Sequence, residues 1–450
     1  MARLDLDVRI DGFAAPAGTL RRNEDGAVTF QYSDFHISDA NAPPLSLSLP
    51  LRDEPYGDPV SRAFFDNLLQ EGTGTLDRVM AREGLARDDI AGLLAHVGKD
   101  CPGAISVLPA GAPPAKVPGD LATDYRRFES AELVAIVQSL LERRRLPNGL
   151  GDPPPLAGVQ SKLGVTRLPD GDLAEPIPGR GAPTTHILKV PHRNHLKHAA
   201  HEAASLQLSR LAGLDTAEAE VITVGGIEAL LVRRFDRALD DDGRIVRLHQ
   251  EDFAQALGLP AALKYQRRGT PGRQFDGAAI RRILAQTIAP ADARADFIRG
   301  TLFDLMIGNV DGHAKNFALL HLARGRTVLA PRYDLLPTRL DPDSTEQLSY
   351  DIGSATLTSD VGRPELDAFL ATLGIGSAAA RRRTIDATAK SLSATLAGEL
   401  ERLSDFGMKR FADLIAANIR GLLPKLGLTP PAAVIDRDAS IARGGGWLIS

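Results

Sequence analysis

Apolar and polar residues alternate at the start of the chain. Leu4, Leu6, Val8 and Ile10 stand two apart with polar or charged residues between them, the period of a half-buried strand. Asp11-Gly12 is a turn signal, and AVTFQYS resumes the alternation after the turn NEDG, so the first fifty residues predict a small antiparallel sheet. The period then lengthens. SRAFFDNLLQEG and RDDIAGLLAHVG carry apolar residues three and four apart, which predicts helices; the second opens on Asp88 and Asp89, where the helix dipole favours carboxylates. PAGAPPAKVPGD, residues 109–120, has four prolines in twelve positions and reads as a linker. ESAELVAIVQSLLERRR is the next helix, followed by the glycine- and proline-rich NGLGDPPPLAGVQSK and the strand KLGVTRL. THILKVP and EALLVRRFD read as strands on either side of the helix HEAASLQLSRLAGL. From EDFAQALGLP onward the pattern is helical, interrupted by FALLHLARGRTVLAPRYD, two strands about the turn ARGR. The expected divisions are a β-rich region over 1–110, a mixed α/β region over 121–245 and a helical region over 246–450.

Length and composition narrow the class. The 450 residues exceed what one core usually holds, so two or three domains are expected. Hydrophobic residues at 43% and charged ones at 24% suit a soluble globular chain, and a net charge of −4 gives no overall basic field for nucleic acid. Any DNA contact then needs a local patch or a basic partner. Cys101 is the single cysteine, which removes an intrachain disulfide and a thiolate metal cage and fits a reducing cytoplasm. The start of the chain has no apolar signal core, and no stretch approaches the roughly eighteen apolar residues of a membrane span.

Candidate chemistry lies where the helical region is broken. In LFDLMIGNVDGHAKNFALL, residues 302–320, an apolar run stops at Gly308 and gives way to Asp311, His313, Lys315 and Asn316 before apolar residues resume. A carboxylate held in a loop after an apolar helix can orient an attacking hydroxyl, and an Asn five residues later can ligate Mg²⁺, as phosphoryl transfer requires. The two strands after Asn316 would return the chain so that Asp334 lies near it, giving an oxygen-rich set suited to a hard cation. Lys189 in THILKVP shares a strand face with Ile187 and could reach nucleotide phosphates, with Glu202 on the next helix as its partner. The loop from Gly149 to Gly158 precedes that strand in the order a phosphate cover requires. A strand lysine is more often a solvated edge residue, and an Asp and an Asn at this spacing occur by chance in long chains. The order of the pieces is what favours a kinase.

Together, LAGVQSKLGV, THILKVP, LVRRFDR, LHQEDFAQALG, IGNVDGHAKNFALL and APRYDLLPT resemble the HipA-type serine/threonine kinases, the toxins of HipA–HipB toxin–antitoxin modules. LSLPL and SRAFFDNLLQEG are similar to the amino-terminal subdomain of full-length members, and the likeness runs from about residue 5 to residue 420. It implies an α+β, bilobed protein-kinase-like fold with a β-rich amino-terminal subdomain and an all-helical C-lobe. It also implies ATP and Mg²⁺. Asp311 would be the catalytic base, Asn316 and Asp334 the metal ligands, and Lys189 the residue on the α- and β-phosphates. Ala157, Gly158, Val159, Gln160 and Lys162 would form the phosphate-side loop, Val232, Arg233 and Phe235 the adenine hinge, and His313 a further phosphate contact. Such kinases phosphorylate a serine or threonine of a translation-machinery protein, often an aminoacyl-tRNA synthetase. A HipB-like helix-turn-helix antitoxin carries them to operator DNA in the bacterial cytoplasm, with no membrane involved.

Two positions depart from the family pattern. Pro155 stands where many relatives have a serine whose autophosphorylation silences the enzyme, so that self-inactivation is not expected. Arg233 stands where an acidic hinge residue is more usual, which a backbone contact to adenine would tolerate. The alternatives are a small-molecule phosphotransferase with the same Asp311, Asn316 and Asp334, or a non-catalytic regulator on the same scaffold. A zinc protein built on His192, His195, His198 and His201 is a weaker option, because each three-residue step along a helix turns about 60° off the face. Asp240, Asp241 and Asp242 read as a solvated turn before Gly243, Glu251 and Asp252 as caps of the helix that follows, and Cys101 as a buried structural residue.

Overall fold

A computed structural model describes residues 2–70, 75–147, 161–323, 325–341, 344–435 and 437. By contact density the chain forms two compact units, Met1–Ala199 with Ala217–Ala262 and Ala318–Val328, and Ala200–Thr216 with Leu263–Phe317 and Leu329–Ser450. No helix among the described residues is long and apolar enough to cross a membrane.

In the first unit the opening alternation becomes a four-stranded antiparallel sheet, in the spatial order Val28–Tyr32, Gly18–Arg22, Leu4–Ile10, Ile105–Pro109. Leu6 lies opposite Leu20 in the register. Leu6, Val8, Leu20 and Phe30 are fully buried with Phe64, Phe65, Leu93 and Leu94 of the helices Asp58–Asp66 and Ile90–Val97, and these residues make one core. Asp89 caps the second of those helices, its side chain accepting from Gly92 N–H at 3.0 Å. A six-stranded sheet follows, ordered Tyr125–Arg127, Leu173–Pro176, Lys162–Arg167, His186–Lys189, Ile227–Arg233, Ala219–Val224. The helix Ser130–Arg143 contributes Ile136, Val137 and Leu140 to a separate core with Val165, Leu188 and Leu231 of that sheet.

Buried charges fasten these parts of the first unit together. Arg247 donates to Asp11 through two nitrogens at 2.7 Å each, to Asp100 at 3.0 Å and to Ser106 at 2.8 Å. Lys116, inside the proline-rich segment, lies 2.8 Å from Asp100, so that segment is anchored. Asp236 accepts from Arg234 and from the Gly103 N–H. Burial alone would raise the Asp100 pKa, but Lys116, Arg247 and Arg237 outweigh it and bring the value down to about 2. Arg237 shifts the other way, to about 10, through burial and the neighbouring Arg234.

A three-stranded sheet pairs His249–Asp252 with Ala318–Leu322, and Arg326–Leu329 follows. Here one expectation fails. Only Asp252 caps the helix Phe253–Ala256, in a reciprocal box with Gln255. Glu251 points inward along the strand alternation, accepts from the Ser46 hydroxyl and, at 2.9 Å, from the Leu47 N–H, and pairs with His321 Nε2 at 2.9 Å.

The second unit is mainly helical. Ala378–Asp405 and Lys409–Lys425 pack on each other and on Pro290–Ile307, with Gly277–Leu284 and Arg363–Thr372 beside them. The region expected to be all-helical nevertheless also carries the hairpin Gln347–Ile352/Ala355–Leu357, besides the three-stranded sheet. Tyr350 explains why the hairpin pairs here: its ring packs into Phe275, Phe297 and Phe369, and its hydroxyl meets that of Thr301 at 2.8 Å.

Candidate active site

The helix Pro290–Ile307 is buried on almost every side from Phe297 onward, as an internal helix must be apolar all round. It ends at Gly308, whose φ of +80° suits glycine, and a Cβ there would stand 2.8 Å from Leu414 Cδ2. The N–H groups of Gly308 and Asn309 both close on the Asp304 carbonyl, at 3.0 and 2.9 Å. The chain then leaves as a loop.

Asp311 is fixed through its backbone. Its N–H donates to Asn309 Oδ1 at 3.1 Å, and its carbonyl accepts from Asn316 Nδ2 at 2.8 Å and from the His313 N–H at 2.7 Å. Asp311 and Asn316 are therefore bonded directly. The Asn316 nitrogen makes that bond and its amide oxygen does not. One carboxylate oxygen of Asp311, Oδ1, accepts the Tyr265 hydroxyl at 2.5 Å. Burial raises the Tyr265 pKa first and the Asp311 charge raises it further, so the phenol keeps its proton at neutral pH.

Tyr265 is itself held. The Lys264 carbonyl accepts the Ala314 N–H at 3.0 Å. Gln266 and Asp351 exchange two hydrogen bonds, at 2.6 and 2.8 Å. The Arg267 guanidinium lies 4.2 Å from the Tyr265 ring centre, and the His313 ring meets it edge-on at 5.1 Å.

Asp334 comes from the other direction. Tyr333 donates its hydroxyl to the Lys315 carbonyl at 2.7 Å, which ties the residue before Asp334 to the residue before Asn316. Asp334 has φ +58°, a left-handed conformation that costs a non-glycine residue about 1 kcal/mol or more. Behind both loops lies Asp304, buried in the helix. It accepts from Asn309 at 3.2 Å and from Arg332 at 2.6 Å. Burial raises its pKa against the pull of Arg332 and Asn309.

Lys162, Lys189, Val232, Arg233 and Phe235 belong to the first unit. Lys162 and Lys189 lie opposite each other on adjacent strands, and Leu230 faces Lys189 from the next one. Lys189 and Val232 are buried and Phe235 is half-buried. Arg233 is exposed: its N–H donates to the Glu218 carbonyl at 2.8 Å and its guanidinium meets the Glu218 carboxylate at 3.0 Å. Glu202, in the second unit, is buried. Pro155, Ala157, Gly158, Val159 and Gln160 lie outside the described residues. The histidine run divides, since His195 stacks on His198 at 4.5 Å while His201 meets the edge of Phe411.

Sequence reasoning missed Asp304, Asn309 and Tyr265. A lone carboxylate inside LFDLMIG was a usable signal for Asp304, because a charge in a buried helix needs a partner. Nothing in LKYQRR distinguished Tyr265 from a surface aromatic.

Antiparallel sheets in the first unit and a mainly helical second unit define an α+β protein. Residues 155–397 match the family model of the HipA-like C-terminal domain and residues 6–108 that of the HipA N-terminal domain. The chain is 34% identical over 408 residues to a Sinorhizobium fredii protein named "Putative kinase Y4mE", covering 90% of this chain and 95% of that one. It is 29% identical over 349 residues to the serine/threonine-protein kinase toxin HipA of Shewanella oneidensis, covering 74% and 75%. A chain of the solved complex of Shewanella oneidensis MR-1 HipA, HipB and operator DNA has the same fold, with a TM-score of 0.76 at 23% identity over 94% of this chain and 98% of that one. The chain belongs to the family of HipA-type kinases.

Proposed function

We propose that this chain transfers the γ-phosphate of ATP to a serine or threonine hydroxyl of a protein and acts as the toxin of a toxin–antitoxin module. The observation that carries the reading is the direct hydrogen bond between Asn316 and the Asp311 carbonyl, with Tyr333 drawing the Asp334 segment to the same turn. Asp311 acts as the base that orients and deprotonates the acceptor hydroxyl. Asn316 and Asp334 hold Mg²⁺, and the fit is chemical: Asn316 is left with an amide oxygen, Asp334 offers a carboxylate, and both are hard oxygen donors. The strained backbone of Asp334 supports this role, since strain persists where surrounding structure fixes a functional group. Bound Mg²⁺ would offset the negative charge of the nucleotide phosphates.

Lys189 binds the α- and β-phosphates. Lys162, with Ala157, Gly158, Val159 and Gln160, covers the phosphate side, and His313 adds a contact from the catalytic loop. Val232, Arg233 and Phe235 form the adenine edge. Arg233 serves it through backbone alone, because its side chain is engaged by Glu218. The working domains are 1–110, 121–245 and 246–450. A HipB-like helix-turn-helix antitoxin is the partner, and operator DNA is reached through it, in keeping with the net charge of −4. The target is a protein of the translation machinery such as an aminoacyl-tRNA synthetase, met in the bacterial cytoplasm. Pro155 leaves the enzyme without the family's self-silencing serine.

The test is acid hydrolysis of labelled protein after reaction with γ-labelled ATP and Mg²⁺. Recovery of phosphoserine or phosphothreonine from a lysate protein supports the reading. Label confined to small alcohols would move the chain to a small-molecule phosphotransferase, and no transfer at all to a non-catalytic regulator.

A further inference from the structure

We infer that Tyr265 is a positioning residue for phosphotransfer, holding one oxygen of Asp311 so that the other faces the acceptor hydroxyl. The inference rests on Asp311 being the base. An Asp carboxylate turns about its last bond with little restraint, so either oxygen can be presented and a base needs a device that selects one. Tyr265 supplies it, donating to Oδ1 at 2.5 Å, the length of a strong charge-assisted hydrogen bond. Among the described residues Oδ2 accepts no hydrogen bond, which leaves it for the acceptor.

The phenol can do this because it does not itself move freely. Ala314 of the catalytic loop is bonded to the Lys264 carbonyl, and Gln266 is locked to Asp351 by two hydrogen bonds, so both neighbours of Tyr265 in the chain are anchored. Arg267 covers the ring at 4.2 Å and His313 abuts it at 5.1 Å. Preorganisation of this kind acts through geometry, because misplacing a reacting group by about 1 Å can cost about a hundredfold in rate. Tyr265 also resembles an acceptor, being a hydroxyl on the base. Its retained proton favours the role of fixed donor over that of a phosphorylated side chain.

The experiment uses full-length protein carrying Tyr265→Phe, which removes only the hydroxyl, assayed for transfer beside wild type, Asp311→Ala and the double variant. The inference expects kcat to fall by about tenfold or more with KM for ATP and the melting temperature unchanged. It further expects Tyr265→Phe to add no loss to Asp311→Ala, because the tyrosine acts only through that carboxylate. An unchanged kcat, an equal loss in both backgrounds, or phosphotyrosine at position 265 would each overturn it. A wild-type protein that transfers no phosphate brings down the proposed function, and this inference with it. A wild type that works while Tyr265→Phe works equally well brings down the inference alone.

Discussion

Asp304 accepts hydrogen bonds from Asn309 at 3.2 Å and from Arg332 at 2.6 Å, so one buried carboxylate holds the chain two residues before Asp311 and two residues before Asp334. Asp311 and Asp334, the proposed base and metal ligand, are thus both referred to a common fixed point inside the helix, in addition to the bonds within the Asp311 loop. A buried pair of this kind gives little net stability, but breaking it leaves Arg332 uncompensated.

Asp304→Ala is therefore expected to lose about 3–5 kcal/mol of stability and, in whatever fraction stays folded, to lower kcat strongly. Thermal melting and a transfer assay at low temperature check this. An Asp304→Ala protein with wild-type melting and activity would contradict the shared-anchor account.

Deleting the amino-terminal region is expected to prevent folding rather than release an independent kinase. Arg247 would lose Asp11, Asp100 and Ser106 together, and Glu251 would lose Ser46 and Leu47. An unpaired buried charge costs about 3–5 kcal/mol, and each stranded polar group about 1–3 kcal/mol, against a typical total stability of about 5–15 kcal/mol. Circular dichroism and solubility of a chain starting at residue 111 test this. A soluble, cooperatively melting product would refute it.

Acid should weaken the first unit through Asp100. Its folded pKa of about 2 lies below the ordinary 3.8, so the unfolded chain takes up the proton first as pH falls. The stabilisation is complete above pH ~4 and lost towards pH ~2, on the order of 2 kcal/mol for a shift of this size. Asp236, also depressed once Arg234 and Arg237 overcome its burial, acts in the same direction. Urea unfolding across this range should show a shallower acid limb for Asp100→Asn than for wild type. At neutral pH that variant should be less stable, because Lys116 and Arg247 lose their counter-charge.

Periodicity made much of the fold legible. The alternation of Leu4 to Ile10, the helix ending at Gly308 and the strands around ARGR all became the expected elements, because each buries apolar residues in a core. Tertiary chemistry was less legible. Glu251 looked like a cap beside Asp252 because both stand before a helix, but position in the strand sends one side chain inward and leaves the other to cap. The hairpin at Gln347–Leu357 does carry a turn signal, Gly353-Ser354, which the helical reading passed over, and Tyr350 packs the hairpin among distant aromatics. In the candidate site, Asp311 and Asn316 were visible because one short stretch contains both. Tyr265 was not, because its partner lies forty-six residues away, and the pairing of Asp304 was only half visible, since Asn309 stands in that stretch but Arg332 lies twenty-eight residues from Asp304.

The most direct test of the central claim is incubation of the purified protein with γ-labelled ATP and Mg²⁺ in a bacterial lysate, beside Asp311→Ala. The account predicts label on one discrete lysate protein with wild type, at most a small residue of it with Asp311→Ala, and no label on the enzyme itself. Equal labelling by wild type and Asp311→Ala would contradict it, since transfer would then not depend on the proposed base.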